Sequence, residues 1–533
     1  MSTVLYLNGN IYTLDRQMPY AQAMAIDTVS GRILVVGSDD EVRRAGGQHA
    51  ELVDLRGKTV VPGFIDAHIH LLETALLAQR IDASACSSED AVAELVRGRA
   101  AQVAAGEWIQ GGLWDKNQWP GRNFPTKAAL DLAAPEHPVA LSSKDGHLLW
   151  VNSLALQRAN ITSETPDPTT GAILRFGDGE PTGILQEADA TKLVFSVIKR
   201  PDPVQSRILL ERALARLQSS GITTIHDIEG DLSLSIFRQL RAEGKLGVRV
   251  QMIMPRHKLP QLRSADIASD NDNLLRIAGI KIFADGTLGS QTAAMLSSFE
   301  GSPGNYGILA IPEQEMMETV QSAASMGLNI AIHAIGDRAA RVALNSIEFA
   351  QQAMQATNSH FSPRYRVEHV QLITPGDLER MRRLGVIASI QPFHAVADRD
   401  IAERFWGQRY RRAYAYRTMH TMGIPIALGS DAPVETFDPL RILYAATVRR
   451  DPATKRPPWL PDQALSVADA LWGYTLGAAY AGSEEHLKGS LTVGKIGDAV
   501  VLREDIMSAP QENMSENGVQ ATILGGNVVY GTV

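Results

Sequence analysis

Through the middle of this chain, short apolar runs alternate with longer stretches in which apolar residues recur at helical spacing. That alternation is the mark of βα units. The strand-like runs fall at 60–70, 223–227, 248–253, 278–284, 328–333, 365–370, 386–391 and 424–431. A helix is expected over 206–220, ahead of the second run. Eight such strands with intervening helices predict an α/β fold, a TIM (β/α)8 barrel.

The two chain ends read differently. Residues 1–60 are short strands and turns, with a hairpin expected from 4–7 to 11–14 across Asn8-Gly9-Asn10. A second strand pair, 23–26 and 32–37, flanks Ser30-Gly31. Near the C-terminus, 499–502 reads as a strand and 520–530 as a hairpin. Each β segment is too small to be stable alone. The economical arrangement is one composite β-sandwich built from 1–60 and 485–533, with the barrel, 61–484, between them.

One barrel unit is far too long. About 30 residues suffice for a βα unit, yet the stretch from His70 to Thr223 holds several times that. An insertion of about 72–200 after the first barrel strand accounts for it. Such an insertion can cover a barrel mouth, or be a surface subdomain or an oligomer contact.

Bulk properties exclude several functions. The 533 residues carry 21% charged and 44% hydrophobic positions, ordinary for a globular protein. A net charge of −8 argues against a nucleic-acid partner. No apolar run approaches a membrane span, so no membrane partner is expected. The N-terminus lacks a signal-peptide pattern, and a cytoplasmic protein is the expectation. With Cys86 as the single cysteine, an internal disulfide and a multi-cysteine zinc site are excluded. Any metal must be held by His, carboxylate or something rarer.

The chemistry-bearing residues cluster at strand ends, where barrel enzymes place catalytic groups. In 60–70, His68 and His70 are two apart, so in a strand they share a face and can grip one metal ion. Lys281, His333, His369 and Asp431 lie in or close other runs. One such histidine is more often a satisfied core residue. Six polar groups on five strands argue for a site. A buried Lys281 should lose its charge readily, and a neutral lysine amine can take up carbon dioxide as a carbamate able to bridge two metals. The competing role is an ion-paired or substrate-binding lysine. Asp431 is the candidate general base. His147, Asp285 and His394 are further pocket candidates, and Trp114 in the insertion hints at an apolar substituent, or is a packing anchor. His226-Asp227 also ends a strand. The remaining histidines fall outside the strand-end pattern.

Residues 62–70, 281–290, 333–337, 368–369 and 429–433 together resemble the amidohydrolase superfamily and, within it, the amidohydrolase 3 family. Residues 145–147, 150–153 and 181–187 resemble that family's insertion. The resemblance implies a metal-dependent hydrolase. His68, His70, His333, His369 and Asp431 would bind one or two divalent ions, zinc first among them. Lys281 would be the carboxylated bridge, with Glu187 an alternative or additional ligand.

The expected function is hydrolysis of a carbon–nitrogen bond, of amide, N-acyl or N-formyl type, in a small molecule. An ester or lactone hydrolase, a heterocycle deaminase and a non-catalytic binding barrel are the alternatives. The oligomer is left open, with a homodimer allowed for.

Overall fold

Eight parallel strands form the framework that carries the polar residues. In chain order they are β1 (Phe64–Ile69), β2 (Ile222–Asp227), β3 (Arg249–Pro255), β4 (Leu275–Phe283), β5 (Asn329–Ala334), β6 (Tyr365–His369), β7 (Ile387–Ile390) and β8 (Ile426–Leu428). Each strand pairs in parallel with the next in sequence. The ring closes where Ile69 bridges Ala432 in parallel. At that seam the His70 amide donates to the Ala432 carbonyl at 2.9 Å, and the Asp431 amide to the His68 carbonyl at 2.7 Å. The fold is a TIM barrel, and its strands read as near-continuous apolar runs because both faces are covered.

This computed structural model describes the chain except residues 1–2, 48, 79, 117–118, 144–147, 169–170, 199–201, 263–272, 290 and 357–361, and the side chains of 187–188. The chain forms two units, Met1–Thr74 with Arg207–Val533, and Ala75–Ser206.

The first unit holds the barrel and a β-sandwich made from both chain ends. Strand Thr59–Pro62 lies between Asn10–Tyr12 and Ala499–Leu502 in a six-stranded sheet. A four-stranded sheet of N-terminal strands faces it. Ile11, Met24, Ile26, Val60, Val501 and Ile523 fill the shared core. Each such side chain contributes about 1.5–3 kcal/mol on burial, and each end supplies the apolar surface that covers the other.

The hairpin expected across Asn8-Gly9 does not form. Thr3–Leu7 pairs instead with Ala23–Asp27 and Glu51–Asp54, while Asn10–Tyr12 joins the other sheet. The turn carries the chain from one sheet to the next. A Cβ on Gly9 would come within 2.5 Å of Leu55 Cδ1, the movable end of a side chain. The 23–37 and C-terminal hairpins do form.

Beneath the barrel, Arg249 of β3 forks onto Asp498 at 2.6 and 2.9 Å, with both side chains buried. The Asp498 carboxylate also accepts the Gly525 amide at 2.8 Å. This ion pair ties the barrel wall to the sandwich.

The second unit is a six-stranded mixed sheet with helices Glu89–Ala100 and Lys127–Ala133 among its elements. Its core packs Trp114, Trp119 and Trp150 edge to face or tilted, at 5.9–6.3 Å between centroids. Each indole N–H has a backbone acceptor: Leu141, Cys86 and Thr126 carbonyls at 2.8–2.9 Å.

Among the described residues no helix is long and apolar enough to cross a membrane.

Candidate metal centre

The site begins at Asp66, two residues before His68 in β1. Its carboxylate accepts the His68 amide at 3.1 Å and the Ser430 amide at 2.9 Å. Burial pushes its pKa up to about 6. These bonds pin the segment after β8 against β1. Gly429 makes the approach close enough, since a Cβ there would lie 2.6 Å from the His68 nitrogen. Strand β8 stops at Leu428, short of the expected 431, and Asp431 sits at φ 57° beyond its end. Aspartate adopts that left-handed backbone more readily than most residues, and here its carboxylate faces His68, His70 and His394.

His68 and His70 are each held by one ring nitrogen. Nδ1 of His68 donates to Glu368 Oε2 at 2.6 Å, and Nδ1 of His70 to the Ile228 carbonyl at 2.8 Å. Both Nε2 atoms then point at one oxygen. Asp431 Oδ1 lies 3.2 Å from Nε2 of His68 and 3.4 Å from Nε2 of His70. Such outer acceptors fix the tautomer that leaves Nε2 free as a ligand. Lys281 Nζ is 3.2 Å from the same His68 Nε2, and burial pushes its pKa down to about 8.

Glu368 is itself anchored by Arg366, Nε to Oε1 at 2.6 Å, and Arg366 Nη1 reaches His226 Nδ1 at 2.8 Å. Burial would push the Glu368 carboxyl up, but Arg366 and His68 hold it well below the usual range. Burial likewise opposes the charge of Asp431, and His68 and His394 outweigh it, keeping the aspartate ionised.

Three more imidazoles line the opposite side. Rings of His333 and His369 meet at 4.5 Å, and those of His369 and His394 at 5.7 Å. His333 gives its Nε2 proton to the Gly286 carbonyl at 3.0 Å; burial and then Lys281 push its pKa down to about 3. His369, at φ 72°, is held neutral by burial and by His333. Its buried Nδ1 has no hydrogen-bond partner among the described residues. His394, on helix Pro392–Ala397 after β7, has Nε2 3.1 Å from Asp431 Oδ2. Burial disfavours its charge, but Asp431 prevails and raises its pKa to about 9.

The sequence-derived candidates therefore separate. His68, His70, Lys281, His333, His369, His394 and Asp431 come together. Asp285 lies beside the cluster, its Oδ1 3.5 Å from His333 Nε2, and its buried carboxylate accepts the Ala294, Ile335 and Gly336 amides at 2.8–3.1 Å. Trp114 is a fully buried packing anchor of the second unit. His147 lies outside the described residues. Glu187 opens helix Glu187–Phe195, and its side chain lies outside them too.

Sequence reasoning passed over Glu368, Arg366 and Asp66 as working groups. The signal was present. Arg366 and Glu368 alternate in an otherwise apolar strand and so share a face, as Asp66 and His68 do.

Neutral imidazoles with a carboxylate are the donor set of a divalent cation. Two trios have ligand atoms within 4.8 Å of one another: His68, His70, Asp431 and His369, His394, Asp431. The unpartnered His369 Nδ1 and the two aligned Nε2 atoms fit a bound ion.

A sequence model of the amidohydrolase family matches residues 51–530. This chain belongs to the amidohydrolase family. The amidohydrolase is 33% identical to Protein LONG AFTER FAR-RED 3 of Arabidopsis thaliana, over 99% of this chain and 92% of that one. It is 29% identical to N-substituted formamide deformylase of Arthrobacter pascens, over 99% and 98%. A solved structure, an uncharacterized metal-dependent hydrolase from Pyrococcus furiosus, superposes with a TM-score of 0.79 at 28% identity, covering 95% of this amidohydrolase and all of that chain.

Proposed function

We propose that this amidohydrolase is a metal-dependent hydrolase that cleaves a carbon–nitrogen bond of amide, N-acyl or N-formyl type in a small molecule. The observation that carries the reading is Asp431 Oδ1 facing Nε2 of both His68 and His70. Those residues would hold one ion, with Lys281, His333 and His369 completing a set for one or two. A bound divalent ion, zinc in this reading, polarises a carbonyl and lowers the pKa of water towards about 7.

The protein's own groups supply the rest. Asp431, kept ionised, is the base that takes a proton from water and passes it to the leaving nitrogen. His394 holds the second carboxylate oxygen, so the base does not rotate away. Lys281 has a depressed pKa and a place beside His68 Nε2. Its neutral amine would add carbon dioxide, lose a proton and become a carbamate ligand. The N-formyl class is drawn from the similarity to N-substituted formamide deformylase.

The test is a panel of N-substituted formamides, N-acyl amines, esters, lactones and amino-heterocycles, run on metal-loaded protein with Asp431→Asn as control. Amide or formamide turnover, reduced by about 10²-fold or more in the control, is expected. Turnover confined to esters, lactones or amino-heterocycles would make the bond class wrong. A metal-loaded protein inert to the whole panel would point to a binding barrel.

A further inference from the structure

The resemblance supplies no metal-binding role for the histidine that follows β7. The geometry points to one: we propose that His369, His394 and Asp431 form a cation site of their own, with the Asp431 carboxylate bridging it to the ion held by His68 and His70. This inference rests on the metal-centre reading above and extends it.

Asp431 divides its two oxygens between two sets of imidazoles. Oδ1 faces His68 and His70 at 3.2 and 3.4 Å, and Oδ2 faces His394 Nε2 at 3.1 Å. The ligand atoms of His369, His394 and Asp431 lie within 4.8 Å of one another, and all three residues are buried. A carboxylate presenting one oxygen to each of two donor groups is the arrangement that bridges paired ions about 3.5–4 Å apart.

A hydrogen bond from His394 to Asp431 would account for that one contact, but not for its neighbour. His369 is also buried, and its Nδ1 is without a hydrogen-bond partner among the described residues. A buried polar nitrogen left unpaired bears its full loss of hydration with nothing in return. A cation between His369 and His394 would give both imidazoles a common partner, taking the place of the proton that His394 shares with Asp431. His333 gives its Nε2 proton to the Gly286 carbonyl and keeps Nδ1 as its ligand atom, outside this trio. The donors come from the ends of consecutive strands β6, β7 and β8, so the barrel itself sets their spacing.

The experiment is metal content by elemental analysis after loading with zinc chloride and gel filtration, paired with the visible spectrum of the cobalt(II)-substituted protein. It is run on wild type, His394→Ala, His394→Gln and His70→Ala, with thermal melts to confirm folding. The glutamine variant keeps a hydrogen-bond donor for Asp431 but is a poor ligand. Wild type should hold about two equivalents, with both His394 variants about one lower and their cobalt spectra altered. His70→Ala should deplete the other ion. A wild type that holds about one equivalent, lost alike from His70→Ala and from both His394 variants, would overturn a separate site. Wild-type stoichiometry and spectrum in His394→Gln would overturn the proposal and leave His394 as a hydrogen-bond donor. A wild type that binds no zinc would instead overturn the hydrolase reading itself.

Discussion

Glu368 takes the Nδ1 proton of His68 at 2.6 Å, and neither side chain is exposed to solvent. This contact decides which nitrogen of His68 faces the metal centre. Glu368→Gln should therefore weaken cation binding about 10–100-fold, read by competition with a coloured chelator. Affinity equal to wild type would show that His68 is oriented by packing alone.

Gly429 admits β8 to β1 at a distance that a methyl group forbids. The nearest atoms to its added Cβ are the His68 nitrogen and Cβ at 2.6 and 2.9 Å, neither at the end of a flexible chain. Gly429→Ala should cost about 1–3 kcal/mol of stability and reduce metal content, because the displaced atoms belong to His68, a proposed ligand. A variant with full metal content and an unshifted unfolding midpoint would contradict this.

The Arg249–Asp498 pair predicts a large effect far from the site. Removing one partner of a buried ion pair costs about 3–5 kcal/mol, because the other charge stays buried. Asp498→Asn should lower the urea midpoint accordingly and loosen the C-terminal strands first, as hydrogen exchange would register. Uniform exchange across barrel and sandwich would argue against a local tie.

Acid sensitivity is expected at Glu484. It is buried against Lys488 Nζ at 2.7 Å and Arg276 Nη1 at 3.6 Å. Burial pushes its carboxyl up, and Lys488 and Arg276 more than offset this, leaving it below the usual range. A depressed carboxylate stabilises the fold fully above the unfolded value, about 4.3, and loses that contribution as the pH falls. Glu484→Gln should thus be clearly less stable than wild type near pH 7, with the gap narrowing as the pH falls below about 4.3. A gap independent of pH would exclude this role.

Much of the barrel was legible because buried parallel strands leave near-continuous apolar runs, and polar residues at their ends stand out. His68, His70 and Asp431 were readable on that ground. What the sequence hid was partnership across distance. Glu368 and His68 are 300 positions apart, and no periodicity links them. The Asn8-Gly9 signal misled because turn chemistry reports a reversal of the chain, not which sheet the next strand joins. Trp114 was ambiguous for a related reason: an aromatic in an insertion packs or binds, and only the surrounding Trp119 and Trp150 decide.

The seam between β1 and the segment after β8 joins residues such as Asp66 and Ser430, 364 positions apart. A chain emerging from the ribosome makes His68 and His70 early and Asp431 late. Until the last barrel strand docks, the histidine pair lacks its carboxylate and Asp66 lacks the Ser430 amide. An ion that needs Asp431 would therefore be held only once the last barrel strand has docked. An ion bound at Asp431 would act as a latch on the ring, resisting its reopening at the strand pair that is farthest apart in sequence.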